Sequence, residues 1–391
     1  MNPIRNPYSP GAGTPPPALS GRDEMLEQVR VAIERIRLGR SSKSVLMIGL
    51  RGVGKTVLLD QMRLDAENSG IHTIRIEAPE ERSLPGILAP QLRQALLKLS
   101  RIKKAKNLAQ RALRALAGFA KLKVKYDDLE VSLDIDPEPG LADNGDLESD
   151  LQDLLMAVGE AAKAADSAFV MFIDELQYVP EKQLGSLIAA LHRAAQMQMP
   201  VTLVGAGLPQ LTGQMGKAKS YAERLFDFPF IGALEPDEAR LALSLPAEEE
   251  NVEFSPPALE YLVQQTQGYP YFLQEWGKHA WDVADESPIT LSDCQQATIT
   301  AIAALDASFF RVRFDRLTPS EKRYLRAMAE LGAGPHRSGD IADMLERKSS
   351  SLAPTRAKLI HKGMIWSPSH GDTAFTVPLF DQYMKRIMPE G

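Results

Sequence analysis

Apolar residues in the first half of the chain fall into short unbroken runs, set between stretches where they recur every three or four positions. Val45, Leu46, Met47 and Ile48 form one such run, and Phe169, Val170, Met171, Phe172 and Ile173 form another. Runs of this length without alternation predict strands buried on both faces. Five strands are expected, at 44–48, 71–76, 169–173, 201–204 and 228–231. Helical spacing fills the intervals, with an opening helix from Asp23 to about Arg37. This alternation predicts an α/β fold on a parallel sheet with helices on both sides.

The pattern changes twice more. From 235 to about 314 the spacing is helical, with no strand signal. Beyond 317, helices are expected at 320–331, 338–345 and about 350–362, the last stopped by Gly363. Met364, Ile365 and Trp366 and then Phe375, Thr376 and Val377 flank a turn at His370, Gly371 and Asp372, which predicts a hairpin. Three helices and a hairpin are the order of a winged helix-turn-helix. The expected organisation is a proline-rich extended arm at 1–20, an α/β core at 21–232, a helical region at 233–316 and a winged helix at 317–391. The arm carries Pro3, Pro7, Pro10, Pro15, Pro16 and Pro17, and reads as extended rather than packed.

Charge sets one segment of the core apart. From Arg93 to Lys125 there are eleven Lys or Arg and no acid, and from Asp127 to Asp153 eleven Asp or Glu and no base. Within this insert, at about 93–153, residues 121–126 and 129–135 alternate with period two and predict a β-hairpin after a basic helix. The basic half fits a nucleic-acid or partner contact. It also fits a solvated helix balanced by the acidic stretch, which is the preferred reading.

The candidate chemistry lies where strands end. Residues 49–56 complete the phosphate-binding pattern G-x-x-x-x-G-K-[ST], between an apolar run and a helical pattern through Val57, Leu58, Leu59 and Met62. Gly49, Gly52 and Gly54, with Arg51 and Val53, let backbone N–H groups turn onto phosphate oxygens. Lys55 is placed to reach β- and γ-phosphates, Thr56 to hold Mg²⁺, and the helix N-terminus through Val57 adds its dipole. The run 169–173 ends in Asp174 and Glu175, at the strand edge where parallel sheets bind ligands. Asp174 is expected to position Mg²⁺, directly or through water, and Glu175 to activate a water as general base.

Composition narrows the classes. The chain has 391 residues, 44% hydrophobic and 25% charged, with a formal net charge of −6, so any nucleic-acid surface must be local. A single cysteine, Cys294, excludes an intrachain disulfide and a cysteine-built metal centre, and the six histidines form no pair at ligand spacing. Met1 to Arg5 lack an apolar signal core and no apolar run is long enough to span a bilayer, so a cytoplasmic location is expected. Trp276 and Trp281, beside Tyr269, Tyr271 and Phe272, are expected to be core rather than a ligand box.

The Lys55-Thr56 loop, the sequence Asp174-Glu175-Leu176-Gln177 and the extra strand between them resemble the additional-strand P-loop ATPases. More narrowly, the chain resembles the origin-recognition and archaeal AAA+ ATPases and the related STAND ATPases. Gly21 and Arg22, before Asp23 and Glu24, are similar to the element lining the adenine side in that group, and Gly268, Tyr269 and Pro270 to the G-x-P element of its helical lid. The resemblance implies ATP and Mg²⁺ as cofactors, Walker A and Walker B functions for the two motifs, and an arginine finger at Arg224 acting on a neighbouring subunit. Arg224 also fits an ordinary surface helix. No Asn-Lys-x-Asp guanine motif is present, which favours ATP over GTP.

Two positions depart from the pattern. The sensor position after the fourth strand reads Val204, Gly205, Ala206 and Gly207, without a side-chain donor. The lid element lacks its arginine, for which Arg311, Arg313 and Arg316 are candidate substitutes. Slow or partner-stimulated hydrolysis is therefore expected. The winged helix carries Arg347, Lys348, Arg356, Lys358 and Lys362 on and before its recognition helix, and double-stranded DNA is the expected partner. The leading reading is an ATP-hydrolysing, DNA-associated switch, with ATP bound between core and lid. Its rivals are an ADP-locked STAND-like regulator with a protein-facing winged helix, and a poorly hydrolysing scaffold of a mobile-element or defence system. A homo-oligomer or partner protein is implied through Arg224 alone.

Overall fold

The computed structural model describes residues 1–11, 13–79, 82–126, 136–369 and 371–389. The chain forms two compact units, one of Arg22–Gly49 and Lys55–Ile231, the other of Met1–Gly21, Leu50–Gly54 and Gly232–Gly391.

The first unit is built on β1 (Ser44–Ile48), β2 (His72–Glu77), β3 (Phe169–Asp174), β4 (Val201–Gly207) and β5 (Phe226–Asp227). The order is β2-β3-β4-β1-β5 and every pairing is parallel, with Ile48 opposite Gly207 and Ile173 opposite Gly205. The additional strand β4 thus lies between β1 and β3. The last strand, Phe226–Asp227, ends before the expected 228–231, where only an isolated bridge joins Phe230 to Ile48. Pro229 has no N–H to give to a ladder, and only its carbonyl pairs, with Ile48 N at 2.8 Å.

Its helices are α1 (Asp23–Arg37), α2 (Lys55–Asn68), α3 (Leu84–Leu99), α4 (Lys106–Tyr126), α5 (Leu147–Ala164), α6 (Glu181–Gln196), α7 (Gln210–Ala218) and α8 (Ala222–Leu225). Leu46, Ile48, Ile74, Phe169, Met171, Ile173 and Leu203 share one core with α3 to α6. The alternate residues Val45, Met47, Val170 and Phe172 are equally buried, which accounts for strands without alternation.

The insert belongs to this core. Ala109, Ala112, Ala115, Leu116 and Phe119 of α4 are fully buried among α3 and α5. Residues 121–126, expected as the first strand of a hairpin, instead continue α4, because the helical spacing established from 109 to 119 propagates more easily than it breaks. The second expected strand, 129–135, lies outside the described residues. Arg111 pairs with Glu138 and Glu160, and Arg114 with Glu138 at 3.1 Å, so acid does offset base here.

The second unit is mostly helical: α9 (Pro236–Glu249), α10 (Pro256–Thr266), α11 (Pro270–Val283), α12 (Leu291–Leu305), α13 (Arg311–Asp315), α14 (Pro319–Leu331), α15 (Ser338–Met344), α16 (Ser349–His361) and α17 (Phe380–Ile387). A π-helical turn, Asp306–Phe310, joins α12 to α13. A small sheet orders β6 (His336–Arg337), β8 (Asp372–Phe375) and β7 (Ile365–Trp366), both pairings antiparallel. Phe310 stacks on Tyr383 at 5.2 Å and meets Phe380 at 5.7 Å, fastening α17 to the π turn. His370 in the expected hairpin turn lies outside the described residues.

The proline-rich arm is packed, contrary to its sequence reading. Tyr8 is 3% exposed and donates to Leu243 O, and its ring fills the space where a Cβ on Gly277 would stand 2.6 Å away. Asn6 donates to Lys278 O at 3.1 Å, Trp281 donates to Asn2 O at 3.0 Å, and Arg5 pairs with Glu250. The arm forms one short 3₁₀ turn, Pro3–Arg5, and its side chains anchor the rest. Among the described residues no helix is long and apolar enough to cross a membrane.

Candidate functional site

At the carboxyl ends of β1 and β3, four sequence-predicted residues meet or adjoin. Lys55 opens α2, is 7% exposed, and donates from Nζ to Gly49 O at 2.9 Å. Thr56 donates from Oγ1 to Asp174 Oδ2 at 2.6 Å. Asp174 ends β3 and is 2% exposed, and its Oδ1 accepts from Glu175 N at 2.9 Å. Glu175 adopts φ 53, a left-handed conformation uncommon outside glycine, and marks a backbone held by its surroundings. Two hard oxygens, hydroxyl and carboxylate, thus stand side by side at a helix N-terminus. They fit an oxygen-binding divalent cation that a phosphate chain would complete. Val57 follows in the first turn of α2, half-buried.

Two residues of this cluster carry no sequence motif of their own. Arg75, on β2, donates to Asp60 Oδ1 at 2.8 Å and reaches Asp174 Oδ2 at 3.4 Å. Its signal is an arginine set between the buried Ile74 and Ile76. Gln177 donates from Nε2 to Glu175 Oε2 and accepts at Oε1 from Leu208 N at 3.1 Å. It stands in the quoted run Asp174-Glu175-Leu176-Gln177, without a predicted role.

The middle of the phosphate-binding pattern, Leu50–Gly54, clusters with the helical unit. Gly52 has φ 84 and Gly54 φ 90, conformations that an L side chain rarely adopts. Gly52 O accepts from Tyr271 N at 3.1 Å, Arg51 O accepts from the Tyr269 hydroxyl, and Val53 is buried. Tyr271 stacks on Phe309 at 4.6 Å, and the Arg313 guanidinium lies 3.8 Å over the Phe309 ring. Burial, then the charge of Arg51, pushes Arg313 down to about 10. Two like charges therefore gather beside the loop, next to the π turn that carries Phe309. Pro270 opens α11, and a Cβ on Gly21 would lie 2.9 Å from Glu238 Cγ, so both pack within this unit. Arg22 precedes α1 as its N-cap.

Residues 18–204 match the family model of the AAA ATPase domain, and residues 307–384 that of a domain of unknown function (DUF8462). Residues 18–204 form a P-loop ATPase domain of the AAA type. Among solved structures, the Walker-type ATPase PaBY2304 of Pyrococcus abyssi is similar over 94% of this chain and 96% of its own, with a TM-score of 0.60 and 16% identity. The Aeropyrum pernix Orc1 protein in complex with DNA covers 95% and 94% at a TM-score of 0.46 and 13% identity. The Thermotoga maritima RuvB Holliday junction branch migration motor covers 95% and 96% at 0.43 and 15%. No curated protein matches the chain.

Other predicted residues lie away from the centre of the ATPase domain. Arg224 is exposed and lines a cavity of about 100 Å³ with Ser44, Val201 and Thr202, at the amino-terminal edge of the sheet. It is not brought to Thr56 and Asp174, which stand at the opposite edge. In the C-terminal elements, Arg356 donates to Thr373 Oγ1, Ser367 Oγ and Asp372 O at 2.8–2.9 Å, tying α16 to the β7–β8 hairpin. Lys362 Nζ bonds to Glu321 Oε2 at 2.7 Å and Arg316 O at 3.0 Å. Both were expected to face DNA and are instead engaged within the fold, where a long cation best satisfies a buried carboxylate or loose carbonyls. Arg347, Lys348 and Lys358 are exposed.

Proposed function

We propose that the chain is an ATP-driven switch, which hydrolyses ATP with Mg²⁺ and associates with double-stranded DNA through its C-terminal helices and hairpin, read as a winged helix-turn-helix. The observation that carries the ATPase half is the convergence of Lys55, Thr56, Asp174 and Glu175 at the carboxyl ends of parallel strands. The Lys55 ammonium would answer phosphate charge, and Thr56 and Asp174 would hold Mg²⁺. The ion, when bound, offsets charge on the β- and γ-phosphoryl oxygens. Glu175 accepts a proton from water as the water oxygen bonds to the γ-phosphorus and the bond to the bridging oxygen breaks, giving ADP and phosphate. Among Arg311, Arg313 and Arg316, Arg313, stacked over the Phe309 ring within the helical unit, is our choice for the missing lid arginine. Arg224, exposed at the far sheet edge, acts on the nucleotide of a second copy.

For DNA the reading rests on Arg347 and Lys348 at the start of α16, with Lys358 further along it. Reversing both Arg347→Glu and Lys348→Glu is expected to weaken duplex binding and to reduce the slope of log affinity against log salt by about two, at roughly 0.9 per phosphate contact. Unchanged affinity and slope would remove α16 from DNA recognition. The internal engagement of Arg356 and Lys362 favours one second reading, a protein-facing module in an ADP-locked regulator. ADP retained by the purified protein would support it.

A further inference from the structure

The ATPase domain has glycine where a polar side chain after β4 would be expected, and Gln177 occupies the space this leaves. A Cβ on Gly207 would stand 2.9 Å from Gln177 Oε1 and 2.6 Å from Leu211 Cδ2, so a side chain there would displace the amide. Gln177 is 7% exposed. Its Oε1 is fixed by Leu208 N–H at 3.1 Å, which turns the NH₂ end toward Glu175 and sets the amide orientation by chemistry. Its own carbonyl accepts from Gln214 Nε2 at 3.3 Å, so the backbone of the short turn Leu176–Tyr178 is held by α7 as well. Glu175, at φ 53, cannot relax into ordinary helix or strand without moving this amide.

We propose that Gln177 is a positioning residue for hydrolysis, fixing the Glu175 carboxylate through Oε2 so that Oε1 faces the attacking water, in the role left open by Gly205 and Gly207. A neutral amide suits this role. It orients the carboxylate without adding a cation beside a group that must take a proton. The inference rests on the reading of Glu175 as the water-activating base.

The test compares Gln177→Ala and Gln177→Glu with the wild-type protein, measuring affinity for a fluorescent ATP analogue, single-turnover hydrolysis and thermal midpoint. Gln177→Ala is expected to keep nucleotide affinity within about threefold while hydrolysis falls at least about tenfold, a part of the 10²–10⁴-fold of a general base. Gln177→Glu, nearly isosteric, is expected to be as slow at high pH and to recover toward wild type as pH falls, because the introduced carboxyl donates like the amide once protonated. A purely structural role would not produce that pH-dependent recovery. Hydrolysis unchanged in Gln177→Ala overturns the inference, as does loss of affinity and thermal midpoint in parallel with rate in both variants. Wild-type protein hydrolysing no faster than Glu175→Gln overturns the water-activation reading beneath it, and this inference with it.

Discussion

Lys55, Thr56, Asp174 and Glu175 were legible as residues because each belongs to a local pattern whose chemistry dictates residue type and spacing. Thr56 and Asp174 are 118 positions apart, and their oxygens meet at 2.6 Å because β1 and β3 both run parallel to β4 and end at the same edge of the sheet. Gln177 and Arg75 were not legible in this way. Their roles depend on which backbone N–H or carboxylate lies across from them, and no spacing along the chain encodes that. Cys294 illustrates a residue whose passivity the structure explains. Burial, then the charge of Asp293, pushes its thiol up to about 12, and it is fully buried in α12. The native protein is expected to resist a thiol reagent at pH 8 and to react stoichiometrically once denatured, as thiolate is the reactive form. Stoichiometric labelling of the native protein would contradict this packing.

At the scale of elements, unbroken apolar runs and helical spacing carried most of the reading. Thr318 and Glu321 make a reciprocal capping box that starts α14 close to its expected position. The hairpin expected at 121–135 failed at 121–126 because alternation of period two over a few residues is weak beside a helix already formed. The packed arm escaped because one tyrosine in a proline-rich stretch has no periodicity to betray it. Tyr8→Phe, which deletes the donor to Leu243 O, is expected to cost about 1 kcal/mol, and Tyr8→Ala about 3–5 kcal/mol through the cavity left against Gly277. Denaturation followed by the fluorescence of the three tryptophans, Trp276, Trp281 and Trp366, measures both, and equal small losses would show that the arm is not anchored there.

Glu321 gives an element-scale test by pH. Burial alone would raise its pKa, but hydrogen bonds from Lys362 and Thr318 outweigh it and hold the carboxyl below its ordinary 4.5. A depressed folded-state pKa means stability that is present above the unfolded value and lost as pH falls through the folded one. Glu321→Gln is expected to cost about 1–2 kcal/mol at pH 7, and the gap from wild type to narrow below pH 4.5. A gap equal at pH 7 and pH 4 would mean that charge at Glu321 is not what fastens α14 to Lys362.

At the scale of the molecule, the sequence indicated an α/β P-loop core followed by helices, and the order β2-β3-β4-β1-β5 agrees with it. The basic C-terminal residues were less legible. Lys and Arg at helical spacing look alike in sequence whether they face a duplex or cap a neighbouring loop, and Arg356 and Lys362 do the latter. The domain of unknown function matched at 307–384 spans these residues and begins in the π turn beside Phe309 and Arg313. The most direct test of the whole account is steady-state ATP hydrolysis with Mg²⁺, with and without double-stranded DNA, using Glu175→Gln as the control. The account predicts hydrolysis that vanishes in Glu175→Gln and on chelating the metal, and that rises when DNA is added. A rate that is indistinguishable from the Glu175→Gln background, with or without DNA, would contradict it.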